Sequence, residues 1–218
     1  MRPILYSHPF SSYCQKVLIA LYENNTDFET RTLGEDDGAY EELVALWPVK
    51  RFPMLKDGGN VVHEATTIIE YLQVHHPGPV RLIPGDDAFA VTVRMLDRFF
   101  DNYISTPQQK IVFDALRDPD VRDPYGVREA RDMLDAAYGW LDRHMESRNW
   151  AAGNVFTLAD CAAAPSLFYA DWSHPLGDRF AHVTAYRERL LARPSFARAV
   201  DEARPYRKNF PLGAPDRD

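Results

Sequence analysis

Only two cysteines, Cys14 and Cys161, occur in the 218 residues, and they lie too far apart in sequence to belong to a disulfide framework. Reduced thiols and a cytoplasmic location are the expectation for such a chain. Positive charge is also in short supply, with 25 Lys and Arg against 32 Asp and Glu and a net charge of −7. That balance argues against the broad basic surface with which nucleic-acid binders displace counterions, but it leaves room for a local cationic pocket that holds a small anion. No apolar run approaches membrane-spanning length, and no basic start leads into an apolar stretch, so neither a membrane segment nor a leader is expected. The seven histidines form no ligand cluster with the cysteines, and no metal is expected. Internal repeats and low-complexity segments are absent too. What remains is a 45% hydrophobic chain, enough for one large core or two small ones.

The most informative stretch is ILYSHPFSSYCQKVLIALY, residues 4–22. Ile4-Leu5-Tyr6 is too short a run for a helix, and Ser7-His8-Pro9 stops it. Val17, Leu18, Leu21 and Tyr22 then recur at helical spacing, with Gln15, Lys16 and Glu23 on the other face. The pattern predicts strand, tight loop and helix, with Ser11-Ser12-Tyr13-Cys14 at the helix entrance. A helix N-terminus presents unpaired N–H groups and a partial positive charge, so this entrance suits an anion. Ser11 and Cys14 have Cys-x-x-Cys spacing with serine in the first slot. By itself this also describes a serine that caps a helix above a buried cysteine.

Further along, Phe28–Leu33 alternates as a short strand and 39–46 reads as a helix ended by Trp47-Pro48. Phe52-Pro53-Met54-Leu55 and Val61-Val62-His63 form a hairpin about Asp57-Gly58-Gly59, followed by a helix over 65–75. The first part is thus β-α-β-α-β-β-α. Residues 77–87 are rich in proline and glycine and read as a connection. Every later element is helical. The first of these runs through Met95, Phe99 and Tyr103 with a kink expected at Pro107, and a second spans 130–145. A third starts at the Thr157-x-x-Asp160 capping box, a fourth covers 180–191 and a fifth begins at Pro194. Phe99, Phe100 and Tyr103 read as core or dimer packing, with a substrate pocket as the rival reading, and Arg204, Arg207 and Lys208 as a solvated tail.

At this point the chain resembles a soluble glutathione transferase of the serine-type classes, with the zeta class nearest in appearance. Four places carry the likeness: Ser11 in SSYCQKV, Lys50-Arg51-Phe52-Pro53, Glu64-Ala65-Thr66, and Gly153 through Asp160. The resemblance implies a thioredoxin-like domain over 1–78, a linker over 79–87 and an α-helical domain over 88–218. It implies glutathione as co-substrate, a small hydrophobic electrophile as second substrate and a homodimer. Ser11 is the implied catalytic residue. Arg51, Phe52, Pro53, Glu64 and Ala65 are the implied glutathione contacts, with Pro53 in the cis form. Two departures stand out. Ala65 replaces the usual serine, with Thr66 as a substitute hydroxyl, and either Lys50 or Arg51 is available for the glycyl carboxylate.

The chemistry such a site must perform is to keep a thiol ionised. A free thiol has a pKa of about 8.5, so only a few per cent is thiolate at neutral pH. A shift of two units takes about 2.7 kcal/mol. One hydroxyl donated to the anion gives about 1.5–3 kcal/mol and a helix N-terminus about 0.3–1, so Ser11 and its helix suffice without a general base. Tyr6 is the rival donor and Cys14 the rival nucleophile. A glutathione-dependent isomerase or dehalogenase is the alternative use of this site, and a non-catalytic binding or scaffold protein the alternative outside enzymology.

Overall fold

The computed structural model describes residues 2–218. Strands β1 (Ile4–Ser7), β2 (Glu29–Thr32), β3 (Met54–Asp57) and β4 (Asn60–His63) form one sheet in the order β2-β1-β3-β4. β1 runs parallel to β2, with Tyr6 opposite Arg31, and antiparallel to β3, with Leu5 opposite Leu55. The parallel pair needs a crossover, which is α1 (Ser12–Glu23). The β3–β4 hairpin turns on the two glycines alone, because Asp57 pairs with Asn60. Gly58 at φ 58° supplies the left-handed conformation this tight turn requires. β3 accordingly starts two residues later than its sequence pattern indicates, since Pro53 has no N–H to give the ladder.

Successive side chains of β1 point to opposite faces. Leu5 packs with α1 and α3 (Ala65–His75), whereas Tyr6 joins Leu33, Met54 and the Ala39 and Leu43 of α2 (Ala39–Leu46). The sheet is therefore covered on both sides, which is why both residues are apolar. The first of these cores does not stop at the sheet: it continues without interruption into the helical part as far as Phe210.

The helical part consists of α4 (Asp87–Phe99), α5 (Thr106–Ala115), α6 (Pro124–Met145), α7 (Leu158–Ser173), α8 (Ala181–Leu191) and α9 (Pro194–Ala203). α4 begins at the end of the predicted connection, capped by Asp86, whose carboxylate accepts the Phe89 N–H at 2.7 Å. α4 and α5 are joined by a π-helical turn, Phe100–Ser105. This replaces the kink expected at Pro107. Proline lacks the N–H an α-turn would use, and the wider turn before it absorbs the defect. α7 is buried along its whole length. Asp160 anchors its start by accepting from the Thr157 N–H, the Ala151 N–H and the Tyr186 hydroxyl at 2.6–2.8 Å.

The tail is not simply solvated. Arg204 and Arg207 pair with Asp218, and the Arg207 guanidinium sits 5.3 Å from the centre of the Trp172 ring. Phe210 is buried between Trp172 and Phe10. The sequence pattern missed this because the segment's partners lie in α7 and in the loop before α1.

Candidate active site

Ser11 is the N-cap of α1, with an extended backbone at φ −95° and ψ 123°. Its Oγ accepts the Cys14 N–H at 3.4 Å, so its own proton is left to donate. No acidic side chain occupies the first turn of α1, and the positive end of the helix is uncompensated. The preceding loop is held from behind by Gln15, buried in α1, whose amide donates to Pro9 O and to the Tyr169 hydroxyl at 3.0 Å each.

A cavity of about 490 Å³ opens in front of Ser11. Arg51, Phe52, Pro53, Glu64 and Ala65 all line it, so the six residues singled out from sequence share one wall system. The Phe52-Pro53 peptide is cis. Glu64 precedes α3 in a strained conformation, φ 67° and ψ 125°, which a non-glycine residue adopts only where its surroundings enforce it. The starts of α1 and α3 both line this space, α1 with no acidic residue in its first turn and α3 with Glu64 as its N-cap. Lys50 and Arg51 both line the cavity and, among the described residues, make no ion pair.

Three sequence alternatives do not reach this space. Tyr6 is buried, its hydroxyl donates to Glu42 Oε2 at 2.8 Å, and burial first, then the Glu42 contact, push its pKa up to about 12. The buried Cys14 thiol is pushed up to about 11 by desolvation, which keeps it a protonated thiol. Thr66 does not replace the missing serine at position 65. Its hydroxyl accepts from Lys16 Nζ at 2.9 Å and donates to Asp97 Oδ2 at 2.9 Å, away from the cavity wall. The aromatic run at 99–103 also lies elsewhere: Phe100 is fully buried and Phe99 packs on Trp140 at 4.5 Å.

Behind the site lies a buried charge cluster. Lys16 Nζ, on α1, is 2.9 and 3.0 Å from the two Asp101 oxygens and 2.6 Å from Asp97 Oδ1. The last contact is too bent for a hydrogen bond and acts as an ion pair. Arg98 closes the outside, pairing with Asp97 at 2.6 Å and Asp101 at 2.9 Å. Asp101, which reaches the cavity, has its pKa raised by burial, while Lys16 and Arg98 pull the other way.

Sequence reasoning missed much of the remaining lining. Tyr13 and Trp47 come from the first part of the chain; Arg98, Asn102, Gln109 and Phe113 come from α4, the π turn and α5. Tyr13 follows Ser11 by two residues at the helix entrance and lines the cavity beside it. A second cavity, about 620 Å³, lies between α1, β2 and α9, and contains none of the predicted site residues.

Residues 5–80 match the family model for the glutathione S-transferase N-terminal domain, and residues 124–189 the model for its C-terminal domain. A probable maleylacetoacetate isomerase from Vibrio cholerae is 28% identical over 94% of this chain and 98% of its own length. Glutathione S-transferase 3 from Zea mays is 28% identical over 92% of this chain and 94% of its own length. A glutathione S-transferase from Methylobacterium radiotolerans, solved in complex with glutathione sulfonate, is 29% identical with a TM-score of 0.78, covering 92% of this chain and 95% of that one. With both domain models matched in order along a thioredoxin-like sheet domain and a helical bundle, the chain belongs to the glutathione S-transferase family.

Proposed function

We propose that the protein binds glutathione in the cavity before Ser11 and transfers it to an electrophile held against the helical wall. The carrying observation is the convergence on one space of the Ser11 hydroxyl, the starts of α1 and α3, and the cations Lys50 and Arg51, which make no ion pair among the described residues. The tripeptide has two carboxylates and an ionisable thiol, and these groups match its anionic positions. The γ-glutamyl carboxylate sits at the start of α3, on the Ala65 and Thr66 N–H groups, beside Glu64. Phe52 meets the cysteinyl unit through its backbone, and Arg51 takes the glycyl carboxylate. Ser11 then donates to the sulfur anion.

Exposed apolar side chains support a homodimer. Val91, Met95, Phe99 and Tyr103 recur every fourth residue along α4 and the π turn, with Trp140 of α6 against Phe99. Val91 and Met95 are more than half exposed, and a second copy of the chain is the occupant that would cover this stripe. The buried, unpaired state of both cysteines fits a reducing cytoplasm. No helix among the described residues is long and apolar enough to cross a membrane.

The test is retention on immobilised glutathione followed by conjugation of an aryl halide, with size-exclusion chromatography for the dimer. Retention and turnover support the reading, whereas retention without turnover of a broad electrophile panel would favour a binding protein. A glutathione-dependent isomerase is the second reading. It is favoured by the polar residues Asn102 and Gln109 on the wall facing Ser11 and by the full-length likeness to proteins named maleylacetoacetate isomerase.

A further inference from the structure

We propose that Gln15 is a positioning residue for Ser11, passing to the turn before the serine a grip that originates in the helical domain at Tyr169. The inference rests on the glutathione reading above and adds what sets the place of the Ser11 hydroxyl. Helical spacing puts Gln15 on the polar side of α1, yet its side chain is wholly buried. Its Nε2 donates to Pro9 O and to the Tyr169 hydroxyl of α7, at 3.0 Å each. Its Oε1 is buried with no hydrogen-bond partner among the described residues. An unpaired buried amide oxygen is destabilising, and an unbranched apolar side chain of similar size would avoid it. What only the glutamine supplies is the hold on Pro9.

That hold closes a tight turn over residues 8–11. The Ser11 N–H donates to His8 O at 3.0 Å and the Phe10 N–H to His8 Nδ1 at 3.1 Å. The Ser11 carbonyl accepts the Gln15 N–H at 2.9 Å. The Pro9 carbonyl, by contrast, has no main-chain donor among the described residues and depends on the Gln15 amide. Gln15 therefore grips the segment twice, with its backbone on Ser11 and its side chain on Pro9. Phe10, between them, meets the Tyr169 ring edge-on at 5.5 Å. Burial raises the Tyr169 pKa, so it stays a hydroxyl that accepts from the amide.

The serine needs this support. Its Oγ accepts the Cys14 N–H at 3.4 Å, a long contact, so the cap alone fixes the hydroxyl poorly. Without the Gln15 amide the Pro9-Phe10 peptide is free to rotate, and Ser11 shifts against the sulfur. A misplacement of about 1 Å at a reacting centre can cost about 100-fold in rate. Through this bridge the helical domain takes part in activating the thiol, besides walling the space for the second substrate.

The experiment uses Gln15→Met, which keeps the length and loses both donors, and Tyr169→Phe, which keeps the ring. Each is made in wild type and in Ser11→Ala. Bound-thiolate absorbance against pH, the glutathione dissociation constant and kcat with an aryl halide are read, with the urea midpoint as a check on folding. In wild type, Gln15→Met should raise the pKa of the bound thiol and lower kcat about 10-fold, with the dissociation constant within about threefold. Tyr169→Phe should act in the same direction by about fourfold, and it carries the comparison if Gln15→Met does not fold. In Ser11→Ala both should stay within about 1.5-fold, because an effect routed through the serine hydroxyl has nothing left to act on. A merely structural role would instead give the same loss in both backgrounds. That result, a change confined to the dissociation constant, or a thiol pKa unmoved in wild type would each overturn the inference. A wild type that shows no bound thiolate would remove the glutathione reading itself, and this inference with it.

Discussion

Lys16 Nζ lies 2.6 Å from Asp97 Oδ1, and both side chains are essentially inaccessible to water. The pair joins α1, whose N-cap is Ser11, to the helix that forms the far wall of the cavity. Thr66 ties in the start of α3 as well, so the three elements around the site meet at one ammonium group. The cluster is balanced, with Lys16 and Arg98 against Asp97 and Asp101. Lys16→Met leaves two carboxylates with a single, half-exposed guanidinium. Breaking a buried pair from one side costs about 3–5 kcal/mol, and urea denaturation should show a loss of that size. Adding Asp97→Asn restores the balance and should recover part of it. A double variant no more stable than Lys16→Met would show that charge balance is not what the cluster supplies.

Acid should loosen the loop before Ser11. His8 Nδ1 accepts the Phe10 N–H at 3.1 Å, which requires an unprotonated ring nitrogen. Burial lowers the His8 pKa, with Glu35 opposing, and burial likewise lowers His63 and His144. For a histidine depressed in the folded state, the unfolded chain binds protons first. Stability is therefore fully present above the ordinary value of about 6.5 and is lost as pH falls from there through the folded value. The urea midpoint should drop between pH 7.5 and pH 5.5. His8→Asn keeps an acceptor for the i+2 N–H but does not titrate, so its midpoint should fall less over the same interval. An identical drop in wild type and variant would clear His8 of any part in it.

Local pattern made much of this molecule legible. The strand–loop–helix from Ile4 to Tyr22, the glycine hairpin and the capping box at Asp160 are each written in adjacent residues, and family likeness marked Ser11, Pro53 and Glu64. The facing wall was not legible. Asn102 and Gln109 occupy the cavity side because a π turn shifts the register between α4 and α5, and helical periodicity cannot register such an inserted residue. The tail was misread for a similar reason: Arg207 and Phe210 find Trp172 and Phe10 across long sequence separations.

The choice between the two adjacent cations is testable directly. Both are exposed, so solvent screens them, and the contribution of either falls toward the low end for a charge-assisted hydrogen bond. Arg51→Ala should raise the dissociation constant for glutathione by about 10-fold, the equivalent of about 1.4 kcal/mol, with little change in kcat at saturation. Lys50→Ala should leave binding nearly unchanged. Calorimetric titration of both variants decides it, and a weakened Lys50→Ala beside an unaffected Arg51→Ala would transfer the role to Lys50.

The role of Ser11 admits the sharpest test, because its rivals are structurally separable. The Ser11 hydroxyl accepts from the Cys14 N–H and has a proton left for the sulfur, whereas the Tyr6 proton is committed to Glu42 and the Cys14 thiol is held neutral by burial. Ser11→Ala should raise the thiol pKa of bound glutathione and slow conjugation by about 30- to 150-fold, the equivalent of about 2–3 kcal/mol for one hydrogen bond to an anion. Glutathione affinity should change little, since the remaining contacts are to its peptide groups. Ser11→Cys would place a thiol at an uncompensated helix N-terminus, where its own pKa falls. That variant should form a mixed disulfide with oxidised glutathione and exchange one conjugating activity for thiol–disulfide exchange. Tyr6→Phe and Cys14→Ala should both keep the thiolate absorbance and the conjugation rate, with any cost appearing in stability, because neither side chain reaches the cavity. The reverse pattern, an active Ser11→Ala beside an inactive Tyr6→Phe or Cys14→Ala, would move the catalytic donor off α1's N-cap and overturn the assignment.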